Sequence, residues 1–291
     1  MDRRTFFKSA AILGVAGSLP ISKNAFGLFD GTDDAELCRK KFDLAVSLSL
    51  QKEPINDVVI AMGKSFLGTP YVAHALEIPG DERLVVNMHG LDCVSFYENS
   101  LVLARCIKMN KMSFDEYKQQ LQFIRYRGGV IDGYTSRLHY TSDYFYDNEQ
   151  RGVWKNVTKD LGGIPYVKTI DFMSTHPEAY RQLRERPSLI EVIKRQEAEI
   201  TKRPKFYVPK ETVASVADKI RSGDILGITT NIPGLDTSHT GIAIRQGGAL
   251  HFMHAPDVGK KVQITDVTLA EYLARNKKQT GIMVVQPNEP A

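Results

Sequence analysis

The sequence predicts an α+β fold, with an N-terminal helical part packed on a C-terminal antiparallel sheet or barrel. Three observations predict it. Helical periodicity dominates between Glu36 and Ile124. Short β-rich runs set off by Gly and Pro dominate after Phe206. No repeat, low-complexity tract or linker divides the chain. Helices first and strands second is the α+β order.

The elements follow from local signals. Glu36–Leu50 places Leu37, Phe42, Leu44, Ala45 and Leu48 at helical spacing and ends at Pro54. Val58–Phe66 reads as a second helix, stopped by Gly68 and Pro70. Leu84-Val85-Val86 suggests a short strand. Leu91–Ile107 carries Val94, Tyr97, Leu101 and Ala104 on one stripe, and Ser113–Ile124 is a further helix. Arg125–Tyr146 is rich in Gly and Tyr and reads mostly as loop. His176–Thr201 is charged and helical, interrupted at Pro187, with solvated elaboration as its default reading. Strands are expected at Phe206–Val208, Ile225–Ile228, Gly241–Ile244, Leu250–Met253 and Ile282–Val285, with a helical turn at Glu271–Asn276.

The chain has 291 residues, 42% of them hydrophobic and 25% charged, which excludes a disordered chain, a collagen and a coiled coil. The formal charge is +4, but Arg3, Arg4, Lys8 and Lys23 lie in the first 27 residues against a single acid. The remainder is nearly neutral, so charge gives no argument for nucleic acid or a membrane surface.

Residues 1–27 read as an address. Arg3-Arg4 is followed by Thr5-Phe6-Phe7-Lys8 and a weakly apolar stretch from Ser9 to Ile21, with Ala25-Phe26-Gly27 as a cleavage site. That stretch falls short of the roughly 20 residues a spanning helix needs. The segment resembles a twin-arginine export signal. Its removal leaves residues 28–291 as a single domain in the periplasm, with no stable membrane anchor.

Cys38, Cys93 and Cys106 are the cysteines, an odd number for an oxidising compartment, so at least one stays unpaired. Asp92 has N-cap character and places Cys93 in the first turn of a helix, whose dipole favours the thiolate. The plain alternative is a small buried packing residue. Cys106 lies on another side of that helix and reads as packing; Cys38 has no histidine pattern tied to it. A thiolate needs a base, and His239, His251 and His254 fall in one predicted hairpin. With Gly247-Gly248 as a two-residue turn, paired positions sum to 495, and His254 shares a face with His239 while His251 lies opposite. A three-residue turn reverses this and favours His251.

The ordered set of motifs resembles the NlpC-type cell-wall cysteine peptidases. More narrowly it resembles an N-acetylmuramoyl-L-alanine amidase-like family within them. The resemblance rests on Phe66–Val72, Leu91–Glu98, Ser136–Asp143, Arg221–Ile225, Gly234–Ile242 and His254-Ala255, and covers about residue 36 onward. It implies a circularly permuted papain-like fold. It implies Cys93 as nucleophile, His239 as base and His254 as the third polar residue, in agreement with the two-residue turn. It implies a substrate-binding set of Tyr71, Asp92, Arg137, His139, Ser142, Asp143 and Ser238, although Arg137–His139 also reads as a surface ion pair. Val94-Ser95 departs from the two small polar residues usual there.

The implied reaction hydrolyses the N-acetylmuramoyl–L-alanine amide of peptidoglycan fragments or muropeptides, with no cofactor. The rivals are a γ-D-glutamyl-diamino acid endopeptidase, a zinc hydrolase using the three hairpin histidines, and a non-catalytic wall-binding module. The zinc reading is weak because His-x-x-His on a strand is not helical ligand spacing.

Overall fold

A computed structural model describes residues 31–291. Residues 1–27, expected to be an export signal, lie outside the described residues. Four helices lead: α1 (Gly31–Ser47), α2 (Ile55–Lys64), α3 (Cys93–Lys108) and α4 (Phe114–Arg125). Each lies within five residues of its expected bounds. Ser113 caps α4 by accepting from the Glu116 amide at 3.2 Å.

The segment expected to be loop corrects the sequence reading. Thr141–Gln150 forms a helix, α5, and Tyr134–Ser136 a single 3-10 turn. Tyr140, at the N-cap of α5, gives no side-chain cap. The cap comes from afar: Asp236 accepts from the Ser142 amide at 2.6 Å. The expected strand at Leu84–Val86 does not form. No strand lies beside it, and the Val85 carbonyl accepts from Arg125 instead.

Further along the chain come α6 (Ser188–Lys202), starting after Pro187, and α7 (Leu269–Ala274), with shorter helical turns at Phe172–Thr175, Arg181–Glu185 and Val213–Val216. Eight strands make the sheet: β1 (Trp154–Asn156), β2 (Ile164–Pro165), β3 (Phe206–Pro209), β4 (Ile225–Thr230), β5 (Thr237–Gln246), β6 (Ala249–His254), β7 (Gln263–Ile264) and β8 (Gln279–Pro287). The order is β2-β3-β8-β4-β5-β6-β7, with β1 also pairing β8, and every pairing is antiparallel.

Alternation along the strands feeds two cores. Ile225, Ile242, Met253 and Val285 join the core built with α2, α3 and α4. Leu226, Ala243, Phe252 and Val284 join a second core with Leu269 and Leu273 of α7. All six residues of β4 are consequently buried. A third cluster, Tyr140, Met173, Leu183, Ile193 and Ile200, seats α6 on the body. The charged segment 176–201 is therefore a docked elaboration with a buried face.

A buried ion pair ties the helices together. Arg125 of α4 meets Glu98 of α3 at 2.7 Å, both almost fully buried, and the Tyr144 hydroxyl of α5 donates to the same carboxylate at 2.9 Å. Losing one partner of such a pair costs about 3–5 kcal/mol. No helix among the described residues is long and apolar enough to cross a membrane.

Candidate active site

Cys93 is the first residue of α3. Asp92 closes a capping box with Ser95: its carboxylate accepts from the Ser95 amide at 2.7 Å, and the Ser95 hydroxyl accepts from the Asp92 amide at 2.9 Å. The approach to the helix needs glycine, because a Cβ on Gly90 would lie 2.4 Å from Val72 Cγ2. Leu91 then bridges Tyr71, bringing that half-buried tyrosine beside the helix start. On its other side the Tyr71 amide donates to the Lys260 carbonyl at 2.8 Å.

The hairpin has the two-residue turn. Ile242 pairs Met253, Ala243 pairs Phe252 and Ile244 pairs His251. That register puts His239 and His254 on one face, and their rings meet, His239 Nε2 to His254 Nδ1, at 2.7 Å. His251 turns the other way, its Nδ1 2.9 Å from the Thr265 carbonyl. No group of three or more His, Cys, Asp or Glu among the described residues is arranged to hold a metal ion.

Helix α3 packs on β5 and β6. Thr240, the neighbour of His239, lies within electrostatic reach of the Cys93 sulfur. The thiol is not the activated thiolate that the helix dipole alone suggested. Burial pushes it up to about 11, the Asp92 carboxylate adds to the rise, and Thr240 pulls back only part of it. Burial also depresses His239 to about 4; burial and then the charge of His239 depress His254 to about 2. At neutral pH the three groups rest as a thiol and two neutral imidazoles. Burial raises the Tyr71 hydroxyl as well, and Cys93 contributes to that rise.

The structure places the remaining sequence candidates differently from one another. Ser238 is exposed beside His239. The Ser142 amide is spent on Asp236. Asp143 is buried between Arg127 and Arg203. Arg137 is buried against Glu77 at 2.9 Å and Glu82 at 3.4 Å. The His139 ring lies against Tyr134, its Nε2 3.0 Å from the Tyr134 carbonyl, and burial holds it down at about 3. Arg137, His139 and Asp143 are engaged in internal bonds, and none of the five residues makes a hydrogen bond to Cys93, His239 or His254.

Three residues near the site escaped the sequence reading. Thr240 acts electrostatically on the Cys93 sulfur, Asp236 anchors α5 to the start of β5, and Tyr272 of α7 lies 5.3 Å, ring to ring, from His254. Only Thr240 carried a usable signal, as the residue following the base.

Comparison with known proteins adds to this geometry. A family model described as N-acetylmuramoyl-L-alanine amidase-like matches residues 61–282. A solved N-acetylmuramoyl-L-alanine amidase from Bacteroides uniformis is 37% identical, with a TM-score of 0.77 over 80% of this chain and 99% of its own. A Bacteroides fragilis protein named as a candidate xylanase is 38% identical, with a TM-score of 0.74 over 78% of this chain and 99% of its own. A Legionella pneumophila protein at 22% identity shares the fold, with a TM-score of 0.68 over 90% of this chain and 97% of its own. No curated protein matches the sequence.

Proposed function

The chain belongs to the N-acetylmuramoyl-L-alanine amidase-like family, and from that premise we propose a cell-wall amidase that hydrolyses the bond between N-acetylmuramic acid and L-alanine of the stem peptide. The observation that carries this reading is the His239–His254 hydrogen bond at 2.7 Å, on strands against which the capped, cysteine-led helix packs. It supplies a nucleophile, a base and a group that orients the base.

The steps balance as follows. His239 takes the thiol proton as Cys93 sulfur attacks the lactyl carbonyl carbon. The tetrahedral oxyanion faces the Cys93 amide, which has no partner within its own helix at the first position. Tyr71 is the second donor in this reading. Collapse breaks the C–N bond, and the L-alanine amine leaves with the proton from His239. Water, deprotonated by His239, then cleaves the thioester to a muramic carboxylate and the free thiol. Because the thiol and imidazole rest neutral, proton transfer accompanies attack and no preformed ion pair is required.

The same reading carries the circularly permuted papain-like fold of NlpC-type peptidases. It is supported by a helix that begins with Cys93 and packs on an antiparallel sheet bearing both histidines. It also takes residues 1–27 as a twin-arginine export signal and the remainder as a single periplasmic domain acting on muropeptides.

The test uses residues 28–291 and a defined N-acetylmuramoyl tetrapeptide, read by mass spectrometry. Free sugar plus an intact stem peptide is the expected result, abolished in Cys93→Ala with the fold retained. L-alanyl-D-glutamate left on the sugar would instead make this chain an endopeptidase. Turnover surviving Cys93→Ala would remove the cysteine from the mechanism.

A further inference from the structure

The hydrogen bond between the two histidines fixes more than their orientation. For His239 to accept a proton at Nδ1, its Nε2 must carry hydrogen and donate to His254 Nδ1. His254 must then carry its own hydrogen on Nε2. That nitrogen makes no hydrogen bond, and the residue is only 1% exposed. A buried N–H without an acceptor works against the tautomer that catalysis needs.

Two rings flank His254. Phe252 lies 4.7 Å away, tilted at 40°. Tyr272 lies 5.3 Å away at 84°, the two rings perpendicular. Tyr272 is held there from two sides. Its ring packs 5.5 Å from Phe252, and the Gln279 side chain at the start of β8 lies within electrostatic reach of its hydroxyl. It also lies within electrostatic reach of Cys93.

We propose that Tyr272 is a positioning residue: its ring face receives the Nε2–H of His254 and so holds both histidines in the tautomers that leave His239 Nδ1 free as base. The inference rests on His239 being the base of the proposed reaction. It gives α7, a six-residue helix remote in sequence from the nucleophile, a part in the site.

The experiment reads the tautomer and the thiol directly, and neither readout uses a muropeptide. Imidazole ¹⁵N shifts at pH 7 are expected to show His254 protonated at Nε2 alone, in the wild type and in Tyr272→Phe. Tyr272→Leu is expected to show a mixture of tautomers, with Cys93 alkylation by iodoacetamide about fivefold slower, the scale of one weak N–H to ring contact. Cys38 and Cys106 are fully buried, so alkylation reports Cys93. Three results each overturn the proposal: Nδ1 protonation of His254 in the wild type, Tyr272→Leu with unchanged tautomer and rate, or Tyr272→Phe falling as far as Tyr272→Leu. The first needs no variant and so decides even where Tyr272→Leu does not fold. Loss of the amidase reading on muropeptides would leave all three measurements meaningful.

Discussion

Arg137 donates to Glu77 at 2.9 Å and reaches Glu82 at 3.4 Å, so a residue from the segment before α5 clasps the loop that runs from Tyr71 to Cys93. The Tyr126 hydroxyl holds Glu82 at 2.8 Å from the same side. The loop that leads to Cys93 is thus fixed by internal charges.

Replacing Arg137 with Met should therefore act on stability. Two carboxylates lose their cation, and the expected loss is about 3 kcal/mol in urea unfolding. Unchanged stability with a raised KM would return Arg137 to the substrate-facing role that the sequence suggested.

Asp92 and Thr240 pull the Cys93 thiol in opposite directions. Asp92→Asn keeps the cap oxygen and removes the charge, so alkylation of Cys93 at pH 8 should quicken. Thr240→Val removes the hydroxyl, so alkylation should slow. Matching signs for the two variants would discard this electrostatic account.

In the proposed mechanism His239, as base, sets the acid limit of activity. His239, held down at about 4 by burial, stays neutral through weakly acidic pH. The acid limb of kcat/KM should fall near pH 4, with a flat profile from about pH 6 to 9. A limb near 6.5, the usual histidine value, would mean that water reaches the ring in solution.

His139 links acid to unfolding. Its folded value, about 3, lies below the ordinary 6.5. The unfolded chain takes up a proton as pH falls through 6.5 while the folded chain does not. The stability His139 contributes is complete above 6.5 and is lost as pH falls toward 3. His139→Asn should flatten the decline of unfolding free energy between pH 6 and 4 by up to about 1.4 kcal/mol per pH unit. An unchanged slope would assign the decline to other groups.

What could be read from the sequence was local. The cap at Asp92 and the start of α3 are neighbours in the chain, and the Gly247-Gly248 turn fixes the pairing that brings His239 to His254. What could not be read depended on distant partners. Helix α5 has no cap of its own and takes one from Asp236, 94 residues on. Leu84–Val86 has a strand's composition but no edge to pair with. Arg137 and Asp143 have the chemistry of ligand-binding groups, and only their burial against opposite charges shows them braced internally.

Strand β8 is the latest of the eight in chain order, yet it sits inside the sheet, paired with β1, β3 and β4. Residues before Gln279 cannot close that sheet, whatever order they emerge in during synthesis. The nucleophile helix is made some 170 residues before the strand that completes the platform beneath it. A nascent chain thus carries Cys93 for much of translation, joined only late by His239 and His254, before the framework that aligns them is complete. In the proposed reaction competence arrives with the closing strand, and any cleavage that releases β8 should silence activity while leaving Cys93, His239 and His254 in the chain.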